Sequence, residues 1–224
     1  MNKEWSALQK TMQAQLKKEN TYQDGLGTLF TLRNQLMQTL IALREELTAD
    51  DFCAIPFLHA NGFHCKTIAY SVWHIFRIED IVAHTLIRAD EQVFFSGQYQ
   101  ARMHAPVITT GNELVGQQIA DFSRQLDLTA LYAYISEVKE STEQIIGSLP
   151  YDALKRSIPK EQKAQLQSLH VVSNDEQAVW LIDYWCGKNI RELINMPFSR
   201  HWIMHTEACL RIRNRIYKQR EGKK

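Results

Sequence analysis

The chain has 224 residues, 45% of them hydrophobic and 23% charged, with a formal net charge of +1. That length supports a sizeable buried core, and the composition lies within the range of folded globular domains, away from disordered or fibrous chains. The balanced charge gives no general pull toward nucleic acid or an anionic membrane, so binding to either is not expected.

The N-terminal stretch from Met1 to Glu19 is polar and amphipathic and lacks the apolar segment of a secretory leader. A helix is predicted over about residues 3–18, and Asp24, Gly25 and Gly27 are read as the break that ends it. From about Leu26 to Leu47 the residues Leu29, Leu32, Leu36, Leu40 and Leu43 recur at steps of three and four, the mark of a helix with one buried face. Asp50 to Cys65 holds Pro56 and Gly62 without a sustained period and reads as a connection.

A second long helix is predicted from Lys66 to about Ala89 on the spacing of Ile68, Val72, Ile75, Ile78, Val82 and Leu86, and His74 lies inside it. Residues 90–128, with Gly97, Pro106 and Gly111, read as a long connection. A third main helix over about Thr129–Gly147 is stopped by Pro150. Residues 151–174 are polar with local helical character, and Asp175–Trp185 reads as a short apolar helix. The last helix begins near Asn189 or just after Pro197 and runs to about Tyr217, with Pro197 either in its first turn or kinking a longer helix. The basic residues Arg211 to Lys224 read as cations at the end of that helix.

Period-two alternation is nowhere sustained and no repeat appears, so the expected class is all-α. No apolar run approaches a membrane span, and the expected compartment is the cytoplasm. Cys53, Cys65, Cys186 and Cys209 form no C-x-x-C pair and read as reduced, partly buried thiols.

The residues with most chemical content are His201 and His205, because an i, i+4 pair on a helix stacks two imidazoles on one face, about 6 Å apart along the axis. Two ring nitrogens can then reach one ion, and zinc, nickel and iron all accept neutral imidazole. His74 lies on an apolar helix beside Trp73 and Ile75, where an imidazole without a partner would be costly to bury. A lone histidine there is still more often a hydrogen-bonded core residue than a ligand.

Cys209, two turns from His201, reads as packing rather than as a further ligand. His59, His64, His84, His104 and His170 read as loop or surface residues. His84, ten residues after His74, points about 80° away from it on an ideal helix. Trp73, Trp180, Trp185 and Trp202 read first as core packing and second as a pocket wall. Phosphate-binding loops, nucleophile elbows and H-E-x-x-H pairs are absent from the sequence.

The run Ser71-Val72-Trp73-His74-Ile75-Phe76-Arg77-Ile78-Glu79-Asp80 resembles the second-helix signature of the DinB/YfiT-like superfamily. Arg200-His201-Trp202-Ile203-Met204-His205, with Glu207, resembles its last-helix H-x-x-x-H, and the two motifs occur in the family's order. The resemblance covers the chain from about residue 24 onward. It implies a DinB-like four-helix bundle over residues 21–224, with a long crossover between the second and third main helices, preceded by an extra N-terminal helix in residues 1–20.

The resemblance also implies that His74, His201 and His205 ligate a divalent metal with water completing the shell, and that the chain pairs as a homodimer. Members of the superfamily include thiol S-transferases and isomerases that use low-molecular-weight thiols, beside many without an assigned reaction. A bound divalent ion lowers the pKa of water or thiol, so a transferase or hydrolase acting on a small-molecule substrate is the expected activity. The alternative is a non-catalytic helical binding protein with a structural ion or none. On helical geometry Tyr70, Ser71 and Arg77 flank His74 and are the candidate substrate-binding residues, although Arg77 and Glu79 read more simply as surface charges.

Overall fold

The computed structural model describes residues 2–59 and 65–222, so the expectations placed on Gly62 and His64 lie outside the described residues. The described chain is all-α, 73% helix, and has no strand, only an isolated antiparallel bridge between Ser157 and Asn189. No helix among the described residues is long and apolar enough to cross a membrane.

The chain opens with α1 (Lys3–Gln15), capped by the Asn2 side chain, and a short 3-10 turn leads into α2 (Tyr22–Glu46). The expected break at Gly25 and Gly27 falls inside α2. Gly25 is there for close approach: a Cβ would lie 2.8 Å from Leu16 Cδ2, where the end of α1 packs against α2. A glycine that admits a neighbour and one that ends a helix look alike in sequence.

A short helix, α3 (Ala49–Cys53), starts in a reciprocal cap between Thr48 and Asp51. Arg220, near the end of the chain, donates to both Asp51 oxygens at 2.7 Å. Burial raises the Asp51 carboxyl, but bonds from Thr48 and Arg220 lower it by more, so it titrates below its ordinary value. Its contribution to stability is therefore present above the ordinary carboxylate range and is lost as pH falls through the depressed value. Asp51→Asn should cost about 1 kcal/mol at neutral pH, and urea titrations should show the difference closing once the wild-type carboxyl is protonated.

All thirteen residues of α4 (Ile68–Asp80) are buried. Thr67 caps its start, accepting from the Tyr70 amide at 3.1 Å, and the helix continues as a π-helical stretch, Ile81–Arg88, that stops at the left-handed Ala89. The following connection carries three short helices, α5 (Val93–Ser96), α6 (Tyr99–Arg102) and α7 (Gln117–Gln125). Then comes α8 (Leu128–Gly147), capped by Asp127. Beyond a 3-10 turn at Tyr151–Lys155 lie α9 (Lys160–Ser168), α10 (Trp180–Cys186) and α11 (Ile190–Asn195). A π-helical turn, Met196–Arg200, joins α11 to α12 (His201–Glu221), so the helical run starts after Asn189, the earlier of the two expected starts, and Pro197 sits in the turn that interrupts it.

Helix α4 packs against α8 and α12, and α12 also packs against α2. The apolar residues form two clusters. One holds Leu32, Phe76 and Trp202, and the other holds Leu29, Ile78 and Phe198, so α2 and α4 each cross from one cluster to the other within a few residues, and the chain makes the same change between the π-helical turn and α12. Buried polar groups occupy the boundary. Arg33 donates to both Glu79 oxygens at 2.9 and 2.7 Å, and Trp202 Nε1 donates to Glu79 at 2.6 Å.

Arg77 and Glu79, expected at the surface, are thus fully buried. The physical reason is pairing: Glu79 meets Arg33 from α2, and Arg77 meets Asp80, the carbonyl of Ile108 and the face of Phe94. His84, also expected at the surface, is buried between Asp90, 2.6 Å from Nδ1, and Ser141, 3.0 Å from Nε2. Those partners satisfy both ring nitrogens, which removes the cost of burying the imidazole.

Candidate metal centre

His74 from α4 meets His201 and His205 from the first turns of α12. Their ring centroids lie 5.0 Å (74 to 201), 4.8 Å (74 to 205) and 4.5 Å (201 to 205) apart. One nitrogen from each ring can be chosen so that all three lie within 4.8 Å of one another, so the group could hold a metal ion. The side chains are buried, at 4%, 8% and 7% exposure.

The tautomer of His74 is fixed by its neighbour. Nδ1 lies 2.6 Å from the Thr110 carbonyl, which only accepts, so Nδ1 carries the proton and Nε2 keeps its lone pair. A ring oriented by a backbone carbonyl through its other nitrogen is the usual support for a ligating histidine. His201 Nδ1 and His205 Nδ1 are buried without a hydrogen-bond partner, as donors awaiting a ligand would be.

Burial holds all three imidazoles neutral. It lowers His201 to about 4. It takes His74 well below its ordinary value, helped by the nearby charge of His201, and does the same to His205, helped by His201 and His74. Three neutral imidazoles facing one another repel a proton and offer lone pairs, which is the donor set that zinc, nickel and iron accept.

Of the residues expected to flank His74, Tyr70 is at the site. Its ring stacks on His74 at 5.3 Å between centroids, and its hydroxyl donates to the Gly111 carbonyl at 2.9 Å. Ser71 is turned away, donating to the Thr67 carbonyl at 2.8 Å, and Arg77 is engaged with Asp80 and Ile108. Cys209 is buried packing, its thiol pushed up to about 12 chiefly by burial, and no cysteine joins the histidine group. His104 and His170 are exposed in left-handed turns. His59 is exposed and lines a cavity beside the centre.

Sequence reasoning missed Lys66, Thr110 and Asn112, all of which surround the centre from irregular segments. The one signal available was Gly111, in the run Thr109-Thr110-Gly111-Asn112. Gly111 has φ +73°, and a Cβ there would lie 2.7 Å from the Trp73 ring and 3.1 Å from Tyr70. Only glycine lets the loop approach α4 closely enough for the Thr110 carbonyl to reach His74. Gly111→Ala should cost about 1–3 kcal/mol by urea titration and should weaken metal retention, whereas Gly27→Ala, with no atom near a Cβ and no left-handed backbone, should leave metal retention unchanged.

The chain matches no protein-family model and no curated protein.

Proposed function

We propose that this chain is a metal-dependent protein of the DinB-like kind, acting on a small molecule by thiol transfer or hydrolysis. In this reading α2, α4, α8 and α12 are the main helices of a four-helix bundle, and the segment from α5 to α7 is its long crossover. The observation that carries the reading is the convergence of three buried histidines, one on α4 and two on α12, beside open cavities lined by Tyr70, Asn112 and Trp185. A divalent ion bound there supplies Lewis acidity, lowering the pKa of a water or low-molecular-weight thiol and stabilising developing negative charge.

The protein's own residues account for the rest of the chemistry. Thr110 holds the proton on His74 Nδ1, so the other nitrogen stays free to ligate. Tyr70 stacks against that ring and limits its rotation. Asn112, whose Oδ1 is buried without a partner, can accept a hydrogen bond from a substrate or thiol at the cavity wall. On the side of the second cavity the apolar side chains lower the local polarity, which strengthens polar contacts made there.

Metal analysis tests the reading. Full-length protein incubated with zinc, nickel or iron(II) and then desalted should retain one equivalent of at least one ion. His74→Ala and His205→Ala, with helical circular dichroism preserved, should retain almost none. Equal, near-zero content in all three proteins ends the proposal.

A further inference from the structure

The histidine cluster does not lie at the end of one pocket. Two cavities, of about 480 and 400 Å³, share His74, Asn112 and His205 as common wall. Their chemistry differs. The first carries Lys66, His59, Tyr70 and Gln177, whereas the second, apart from the shared residues and His201, is lined by apolar and aromatic side chains including Ile78, Trp180, Tyr184, Trp185 and Met204.

Lys66 is the sole side chain of formal charge lining either cavity among the described residues. No described carboxylate lies within ion-pair distance of it, and its ammonium sits 4.6 Å from the centroid of the Tyr70 ring. An aromatic face without a counter-ion leaves a half-buried cation only partly compensated. At the junction of the cavities, Asn112 Oδ1 is buried and unpartnered.

Trp180 marks the other end. It is 49% exposed, unusual for a side chain of its size, and it is held in place by a bond from Nε1 to the Gln177 carbonyl at 2.9 Å and by edge contact with Tyr184. A rigid, half-exposed aromatic at a cavity mouth is what an apolar ligand covers on binding.

We infer that the site takes an amphipathic organic acid, its aromatic or bulky apolar body in the Trp180 cavity, its carboxylate at Lys66, and the intervening atoms passing the three histidines. This inference rests on the proposed function for its account of why the histidines lie between the two halves. The two arms are separately testable, since one depends on charge and the other on apolar area.

The experiment is a calorimetric titration of zinc-incubated, full-length protein with 4-phenylbutyrate, 4-phenylbutyramide and butyrate. The acid should bind about tenfold more tightly than the amide, and removing the phenyl group should cost at least about tenfold. Lys66→Met should bring the acid to the affinity of the amide and leave the amide unchanged, which separates an effect of Lys66 from coordination of the carboxylate by the ion. Trp180→Ala, an exposed position, should weaken acid and amide alike. Equal binding of acid and amide, indifference of the acid to Lys66→Met, or no binding at millimolar concentration overturns the inference. Zinc, nickel and iron contents are measured after incubation of the same preparation with each ion: a protein that holds none of the three yet binds the acid through Lys66 defeats the metal proposal and upholds this one, and metal-loaded protein that ignores Lys66 does the reverse.

Discussion

Glu79→Ala should lower the stability of the protein by about 3–5 kcal/mol, the largest effect expected of any single substitution away from the histidines. Arg33 and Glu79 have no solvent exposure, and two short bonds join them. Burial alone disfavours the Arg33 charge, yet Glu79 and Glu143 favour it by more, so the guanidinium is held firmly ionised. Removing Glu79 strands that cation over the Trp202 ring, with only the partly exposed Glu143 and the Phe198 carbonyl as partners.

Arg33→Met with Glu79→Leu removes both charges together and should recover most of the loss, ending within about 2 kcal/mol of wild type. Urea denaturation of the single and double variants checks both statements, and a single-variant loss under about 1 kcal/mol would contradict the burial described here. The same substitution should reach the candidate metal centre. Glu79 accepts from the Trp202 indole, and Trp202 lies between His201 and His205 on α12, so the Glu79→Ala variant should also retain metal less well.

The second large effect is on metal removal. An ion that binds the folded protein and not the unfolded chain stabilises it by about 4 kcal/mol when free metal exceeds the dissociation constant a thousandfold. Thermal unfolding in excess zinc and in excess chelator should therefore differ by a shift of several degrees or more. His205→Ala should unfold at one temperature in both. A wild-type protein insensitive to chelator, with zinc content verified, would contradict the assignment of the three histidines as ligands. A chelated protein that keeps its fold but loses activity separates a catalytic ion from a structural one.

The long helices were legible because each carries an apolar period over several turns. Helix α2, expected over about 26–47, occupies Tyr22–Glu46, and α8, expected over about 129–147, occupies Leu128–Gly147. The histidines could be paired for the same reason, since a helix turns a spacing of four into a shared face. Arg77, Glu79 and His84 were misjudged because periodicity says which face is apolar, not which polar groups have partners waiting inside. Arg33 and Ser141 supply those partners from other helices, at separations that leave no local trace. Lys66, Thr110 and Asn112 escaped because irregular segments have no period, and only the glycine between the last two hinted at close approach.

The turn at Met196–Arg200 has a bearing on how the chain can change over evolutionary time. Its π-helical winding fits one more residue into the turn than an α-helix would, and the Ser199 hydroxyl lies 3.0 Å from both the Ile194 and Asn195 carbonyls. Loss of a single residue there would rewind the junction and rotate α12 relative to α11 by about 100°. Both imidazoles would survive in the polypeptide and swing out of reach of their counterpart on α4. Substitutions in this short stretch should therefore be tolerated far better than indels, because what it conveys to the site is a tally of backbone units and not the identity of any one side chain.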